Sequence, residues 1–415
     1  MKKNEIQDGS PLTPFEQIAK LLRSSIWETS DRFAGRSVKC FSMSTTPGPA
    51  VTPEPQNPRG DGTFAPHDRD LNWIWLGPHG LRAGWSILLA YILFYLFRLA
   101  FGTIFVTANL LGQPGDYAAG SVAVWELIPF LSMIGVGIMM ALIEHRRILD
   151  FNLSGPGRVL RFFSGFAAGF LALSSLVFGL DWGGWLRFGP PELTGPAIFR
   201  FAALWGCAYL LVGCVEEGLF RCYLQFTLTR GIDFWWALAA EASLCLYASG
   251  TRNNGLPGIY AIALLGLIPC FSLHQNAASS SGFWHAAWVT STLFGFVHTY
   301  NHGETSIGIF AAASIGFVFC VSVRVTGSAW WAIGCHAAWD WTETYFYGTG
   351  NSGLPARGHW LTTNPLGNPL LSGGADGPEG SLLVLAAIAL LLLFLVTFYA
   401  KSMPALPANR NSVAD

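Results

Sequence analysis

The sequence predicts an all-α, polytopic transmembrane helix bundle of about eight to ten spans behind a polar, partly disordered N-terminal segment. Three observations carry that prediction. Hydrophobic residues make up 52% of the 415 and charged residues only 12%, where a soluble domain carries about a quarter charged residues. Apolar runs recur at roughly 83–108, 125–144, 160–180, 197–220, 234–249, 257–273, 283–300, 306–323, 328–347 and 381–400. The 17 Trp and 31 Phe suit lipid-facing and interfacial positions. A formal net charge of −1 gives no basis for nucleic-acid binding.

Residues 1–80 read as a cytoplasmic N-terminal segment, rich in Pro and Gly and without the apolar run of a signal peptide. Within it Thr13-Pro14-Phe15-Glu16 forms a capping box. Leu12, Phe15, Ile18, Leu21, Leu22 and Ile26 follow at helical spacing, which predicts a short amphipathic helix. Residues 44–70 read as linker. Residues 81–196 hold the first transmembrane helices, 197–347 a helical unit interrupted by an insertion at 231–282, and 348–415 a loop, the last span and a short tail. A span needs about 20 residues, so 234–249 and 257–273 are short. Arg146, Arg147, Arg158 and Arg161 lie near 145–161 while 109–124 carries no basic residue. The positive-inside rule therefore puts the first loop, and the N-terminus, in the cytoplasm. Counted on from there, the polar residues near 216–221 face the cytoplasmic leaflet, and a strict count leaves His298 near the external face. Of the eight cysteines no two form a Cys-x-x-Cys pair, so neither a disulfide framework nor a thiolate zinc site is expected.

Charges inside apolar segments point to function, because ionisable groups at membrane depth need a partner or a task. Arg98 and Arg200 sit where they can snorkel, and Glu241 lies within a short segment. The densest group is Glu216-Glu217-Gly218-Leu219-Phe220-Arg221. Glu217 and Arg221 share a helix face at i and i+4, while Glu216 points about 100° away and is free for other work. Phe294 and His298, then His336 and Asp340, repeat the i, i+4 spacing on two later segments. His302 lies four residues after His298, but Asn301 and Gly303 suggest a turn there, and the run His285-Ala286-Ala287-Trp288 echoes His336-Ala337-Ala338-Trp339 without the trailing acid.

As an ordered set, Glu216-Glu217-x-x-x-Arg221, Phe294-x-x-x-His298 and His336-x-x-x-Asp340 resemble the motifs of the CPBP family, the CaaX-protease and bacteriocin-processing (Abi) intramembrane proteases. The stretches Gly327–Ile333 and Leu371–Gly380 also resemble that family. Two features depart from its pattern: the long separation between the first two motifs, and Asp340 where an amide is common in the prenyl-peptide branch. The resemblance implies an endopeptidase of the bacterial cell membrane that cuts a membrane-associated peptide or protein, lipidated substrates included, and the basic-residue count turns its cavity towards the cytoplasm. It implies Glu216 as the base that activates water, with His298 holding that water. It further implies Glu217 and Arg221 as a supporting ion pair and His336 as a donor to the oxyanion. Glu216, His298, His336 and Asp340 also make a nitrogen/oxygen ligand set suited to a divalent metal such as zinc. Both chemistries stay open, with the metal-free one preferred. The alternatives are a non-proteolytic immunity or scaffold protein that keeps the motifs, and a transporter using Glu241, Glu216 and Arg98 as a charge relay.

Overall fold

The computed structural model describes residues 72–77, 80–111, 118–250, 255–301, 303–353 and 357–399. The expected amphipathic helix of residues 12–26, the linker at 44–70, Cys40 and His302 lie outside the described residues.

Among the described residues, ten helices of twelve or more residues form a bundle: α1 Ala83–Thr107, α2 Ala119–Ile143, α3 Arg158–Trp182, α4 Ala197–Glu217, α5 Phe234–Gly250, α6 Leu256–Gln275, α7 Ser281–His298, α8 Ser306–Thr326, α9 Trp330–Trp341 and α10 Leu383–Tyr399. The helix of α4 does not stop at Glu217. It continues through a π-helical stretch, Gly218–Leu224, into Gln225–Thr229, giving one apolar helix of 33 residues. Among the described residues, six helices are long and apolar enough to cross a membrane by length and composition: α1, α2, α3, extended α4, α6 and α8; α10 is a shorter apolar helix. The all-α, multi-span class holds. The segments expected at 283–300 and 328–347 are helices too, but their Ser, Thr, His and Trp residues and deep burial fit walls of protein.

The helices run alternately up and down, so the connections sort to two ends. One end collects Glu144–Gly157, Arg230–Asp233 and the turn before α9. There Glu144 accepts from Arg230 at 3.0 Å and Asn152 donates to the Arg221 carbonyl at 2.7 Å. The other end collects the short antiparallel ladder of Leu186–Phe188 with Thr363–Pro365 and the loops around Asn301, Asn351 and Glu379. Arg146, Arg147, Arg158 and Arg230 thus mark one end of the bundle. Arg158 and Arg161 belong to the first turn of α3 rather than to a loop.

Close helix approach sets the core. α3 and α9 pack backbone to backbone, which small residues permit. A Cβ on Gly165 would strike the Trp331 carbonyl, and one on Gly334 the Phe162 carbonyl. The insertion packs α5 and α6 as a hairpin on the outer side of α7 through Phe234, Ala237, Cys270 and Trp288, leaving the inner side of α7 for α8 and the site. His285, in that hairpin contact, is buried and pairs with the Cys270 carbonyl at 3.2 Å, a structural role. The seven described cysteines are free.

The topology conflict of His298 disappears with the length of α4. Glu216 lies thirteen residues, or about 20 Å at 1.5 Å per residue, from Thr229, where extended α4 ends. His298 lies seventeen residues, about 25 Å, from the start of α7. Those two starting levels coincide, because the Thr229 carbonyl sits 2.7 Å from where a Gly282 Cβ would be. The two motifs therefore reach similar depth.

Candidate active site

The sequence-singled residues Glu216, His298, His336 and Asp340 line one cavity of about 230 Å³. Each is carried there by a different local reason. Glu216 and Glu217 are the last residues of regular α4, just before the π-helical stretch. Such bulges are frequent at functional sites. Phe294 and His298 end α7, and His336 and Asp340 share one face of α9. A second π-helical turn, Thr342–Phe346, follows directly after α9.

Glu217 is fully buried and its two oxygens divide their work. Oε2 meets Arg221 Nε at 3.2 Å and Oε1 meets His336 Nδ1 at 2.9 Å. The Arg221 guanidinium, also fully buried, lies over the Phe294 ring at 4.3 Å and near Phe319 at 5.5 Å and Phe220 at 5.6 Å. Cation–π contact of this kind adds stabilisation where water is excluded. Gly316 keeps the space open, since a Cβ there would lie 2.7 Å from an Arg221 terminal nitrogen. The Phe319 ring stacks on His336 with centroids 5.7 Å apart. The imidazole is thus held by one carboxylate and one ring.

The other face of His336 looks into the cavity. Its Nε2 lies 3.9 Å from Glu216 Oε2 and 3.6 Å from Asp340 Oδ2. Glu216 is one-third exposed, whereas Glu217 is not exposed at all. Adjacent glutamates therefore have opposite surroundings. His298 Nδ1 pairs with the Phe294 carbonyl at 2.8 Å. A carbonyl only accepts, so Nδ1 carries the proton and Nε2 is left to accept.

Among the described residues, no group of three or more His, Cys, Asp and Glu is placed to hold a metal ion. As positioned, the four candidate ligands do not form a coordination set, and one nitrogen of each histidine already has a protein partner.

Further carboxylates surround the site that sequence reasoning passed over. Glu126 of α2 and Glu379, between α9 and α10, line the cavity, and Glu343 is fully buried beyond Asp340. Glu126 and Glu343 lie inside apolar runs, so the rule that drew notice to Glu241 should have drawn it to them. Glu379 Oε1 accepts from Trp339 Nε1 at 2.6 Å, which explains why Leu371–Gly380 sits against α9. Asp376 Oδ2 accepts from the Thr305 backbone at 3.0 Å and its hydroxyl at 2.8 Å, tying the same turn to the start of α8. Glu241 is buried in α5 but does not line the cavity, and Arg98 and Arg200 are exposed. The three groups of a charge relay are not brought together.

Residues 270–342 match the family described as Rce1-like, type II CAAX prenyl endopeptidase. The match runs from the last turns of α6 through α9 and includes Phe294, His298, His336 and Asp340; Glu216 and Arg221 precede it. It agrees with the motif resemblance and supports a CPBP-type intramembrane protease. With six helices apolar enough to cross a membrane, the protein is an integral membrane protein. No curated protein and no solved structure matches the chain.

Proposed function

We propose that this protein is an intramembrane endopeptidase in which Glu216 activates water for attack on a peptide bond of a membrane-associated substrate. The supporting observation is that Glu216, His298, His336 and Asp340, drawn from three helices, line a single cavity. Glu216 Oε2 is the base. It takes a proton from a water that the unprotonated His298 Nε2 also holds by accepting its second hydrogen. Attack forms the carbon–oxygen bond and pushes the carbonyl electrons onto oxygen. His336, fixed through Nδ1 by Glu217, presents Nε2 to the cavity, and a proton there donates to that oxyanion. Glu216 then passes its proton to the leaving nitrogen as the carbon–nitrogen bond breaks. Arg221 takes no part in these transfers; it balances Glu217. Asp340, when ionised, only accepts, so its role is to orient His336 rather than to donate. No step is routed through a metal.

The loop residues Asn301, Asn351 and Ser352 line the end of the cavity away from Arg146, Arg147, Arg158 and Arg230. With basic residues towards the cytoplasm, this favours an opening on the outer side, in place of the cytoplasmic opening expected from the sequence.

Glu216→Gln keeps shape and removes the base. The expected result is a 10²–10⁴-fold loss of kcat, the usual order for a general base, with an unchanged unfolding midpoint in detergent. Full cleavage by a folded Glu216→Gln protein would sink the peptidase reading and leave a non-proteolytic membrane protein.

A further inference from the structure

We infer that the turn Leu371–Gly380 is a proton-dependent latch. It holds Glu379 in the cavity wall while the carboxyl pairs Glu304/Asp376 and Glu343/Glu379 each keep one proton, and it loosens when those protons leave. The inference concerns movement of the cavity wall and stands apart from the peptidase reading.

Both acids of the turn meet another carboxyl. Asp376 is hydrogen-bonded to Glu304 of the loop before α8, and Glu379 to Glu343 of the π-helical turn after α9. A Cβ on Gly308 would strike Asp376 Oδ2 and Glu304 Oε2 together, so the first pair closes over the start of α8. Glu343 Oε1 lies 3.3 Å from where a Gly377 Cβ would be, which sets the second pair against the same turn. Ionised carboxylates only accept, so a hydrogen bond between two of them needs a proton. The remaining partners say which member carries it. Asp376 accepts from the Thr305 backbone and hydroxyl, and Glu379 accepts from Trp339 Nε1 at 2.6 Å. Those two are supported as carboxylates, so Glu304 and Glu343 are the donors. Glu304 is also met by Asn301 at 3.4 Å and by Ser352.

The strongest charges around the pairs are all acidic. Asp376 and Glu379 act on Glu304, Glu379 acts on Asp376, and Glu379, Asp340 and Asp376 act on Glu343. His336 stands between Glu217 and Asp340 and is engaged by both. Burial, followed by the Asp376 carboxyl, raises Glu304, and burial raises Asp376. The closed pair therefore keeps a proton at neutral pH that an open, solvated carboxyl, ordinarily near 4, has lost. With both members ionised, like charges repel in a water-poor setting. The backbone can give at Gly373 and Gly377, whose φ of +81° and +98° flank Asp376. The same loops bring Asn301, Gly308, Ser352 and Glu379 to the cavity, so loosening the turn changes its lining.

The test is hydrogen–deuterium exchange of the full-length protein in detergent between about pH 5.5 and about pH 9, each rate divided by the intrinsic rate at that pH. An opening that releases one proton becomes about tenfold more populated per pH unit between the ordinary carboxyl value and the raised folded one. Protection of residues 371–380 should therefore fall about tenfold per pH unit, or about a hundredfold where both pairs open together. Helix α3 should keep its protection throughout. Glu304→Gln and Glu343→Gln each replace a donating carboxyl by an amide, which donates without a titrating proton. Each should leave the turn protected at about pH 6 and flatten the slope, and the double variant should abolish it. A wild-type turn whose protection does not change with pH would overturn the inference, as would a slope that both variants leave untouched. None of these readouts uses cleavage, so failure of the latch and failure of the peptidase reading are separate results.

Discussion

The buried cluster behind the cavity, its inner end, and the loop end that lines it are both built from carboxylates, and they differ in what stands opposite each charge. At the inner end Glu217 is buried completely, with Oε2 in an ion pair with Arg221 at 3.2 Å and Oε1 accepting from His336 at 2.9 Å. At the loop end Glu126, Asp340 and Glu379 line the cavity, Asp340 beside His336 and Glu379 accepting from Trp339, with no arginine or lysine among the described lining residues. The inner end is a finished piece of structure, because a buried charge without its partner is strongly destabilising. The loop end is held by contacts of another kind, Asp340 to His336 at 3.6 Å and Glu379 to Trp339 at 2.6 Å. Adjacent positions show the contrast at its sharpest: Glu217 is enclosed by Arg221 and His336, and Glu216 is one-third exposed and lines the cavity.

Breaking the inner end should have the largest effect. Arg221→Ala leaves Glu217 buried beside two aromatic rings, and the expected loss is about 3–5 kcal/mol of stability, read as a lower unfolding midpoint in detergent together with loss of activity. A wild-type midpoint in that variant would mean Glu217 does not need its partner. Next comes the packing that carries His336 to the site. Gly165→Val forces a branched side chain against the Trp331 carbonyl, where overpacking by this amount costs about 1–3 kcal/mol. It should displace α9, lowering kcat more than it lowers the midpoint, whereas an equal fall in both would assign the contact to folding alone. The smallest effect lies in the loops that roof the open end. Burial, together with the Asp376 carboxyl, raises Glu304, and burial also raises Asp376. A carboxyl raised in the folded state holds its proton after the unfolded chain has lost it, so stability falls as pH climbs from about 4 upward. The midpoint should therefore drop gradually towards neutral and alkaline pH, and Glu304→Gln should flatten the slope. An unaltered slope in that variant would show that the pair does not titrate across this range.

The inner end was the more legible half. Glu217 and Arg221 are four residues apart, so helical geometry alone pairs them, and the same spacing puts His336 and Asp340 on one face of α9. The hydrophobic runs placed the helices that matter, since burial and lipid contact both write themselves as apolar periodicity. The loop end was legible only in part. Glu126 and Glu343 stand alone within apolar runs, and Glu379 sits in a turn, so no local spacing links them to one another or to Asp340.

What the sequence determined by itself is local: the membrane class, helices at most apolar runs, and the pairing of residues one turn apart. Each follows from composition or from the 3.6-residue period, which needs no knowledge of neighbours. The tertiary structure decided everything that depends on where helices end and how they face. The π-helical continuation carries α4 on to Thr229, which brings Glu216 to the depth of His298 and removes the conflict of a strict span count. The contact of α3 with α9 through Gly165 and Gly334 presents His336 to Glu217. The loops between α7 and α8 and between α9 and α10 are tied together by Asp376 and Thr305, adding Glu379 to the cavity lining. Those features arise from contacts between residues far apart in the chain, and no local pattern encodes the distance between them.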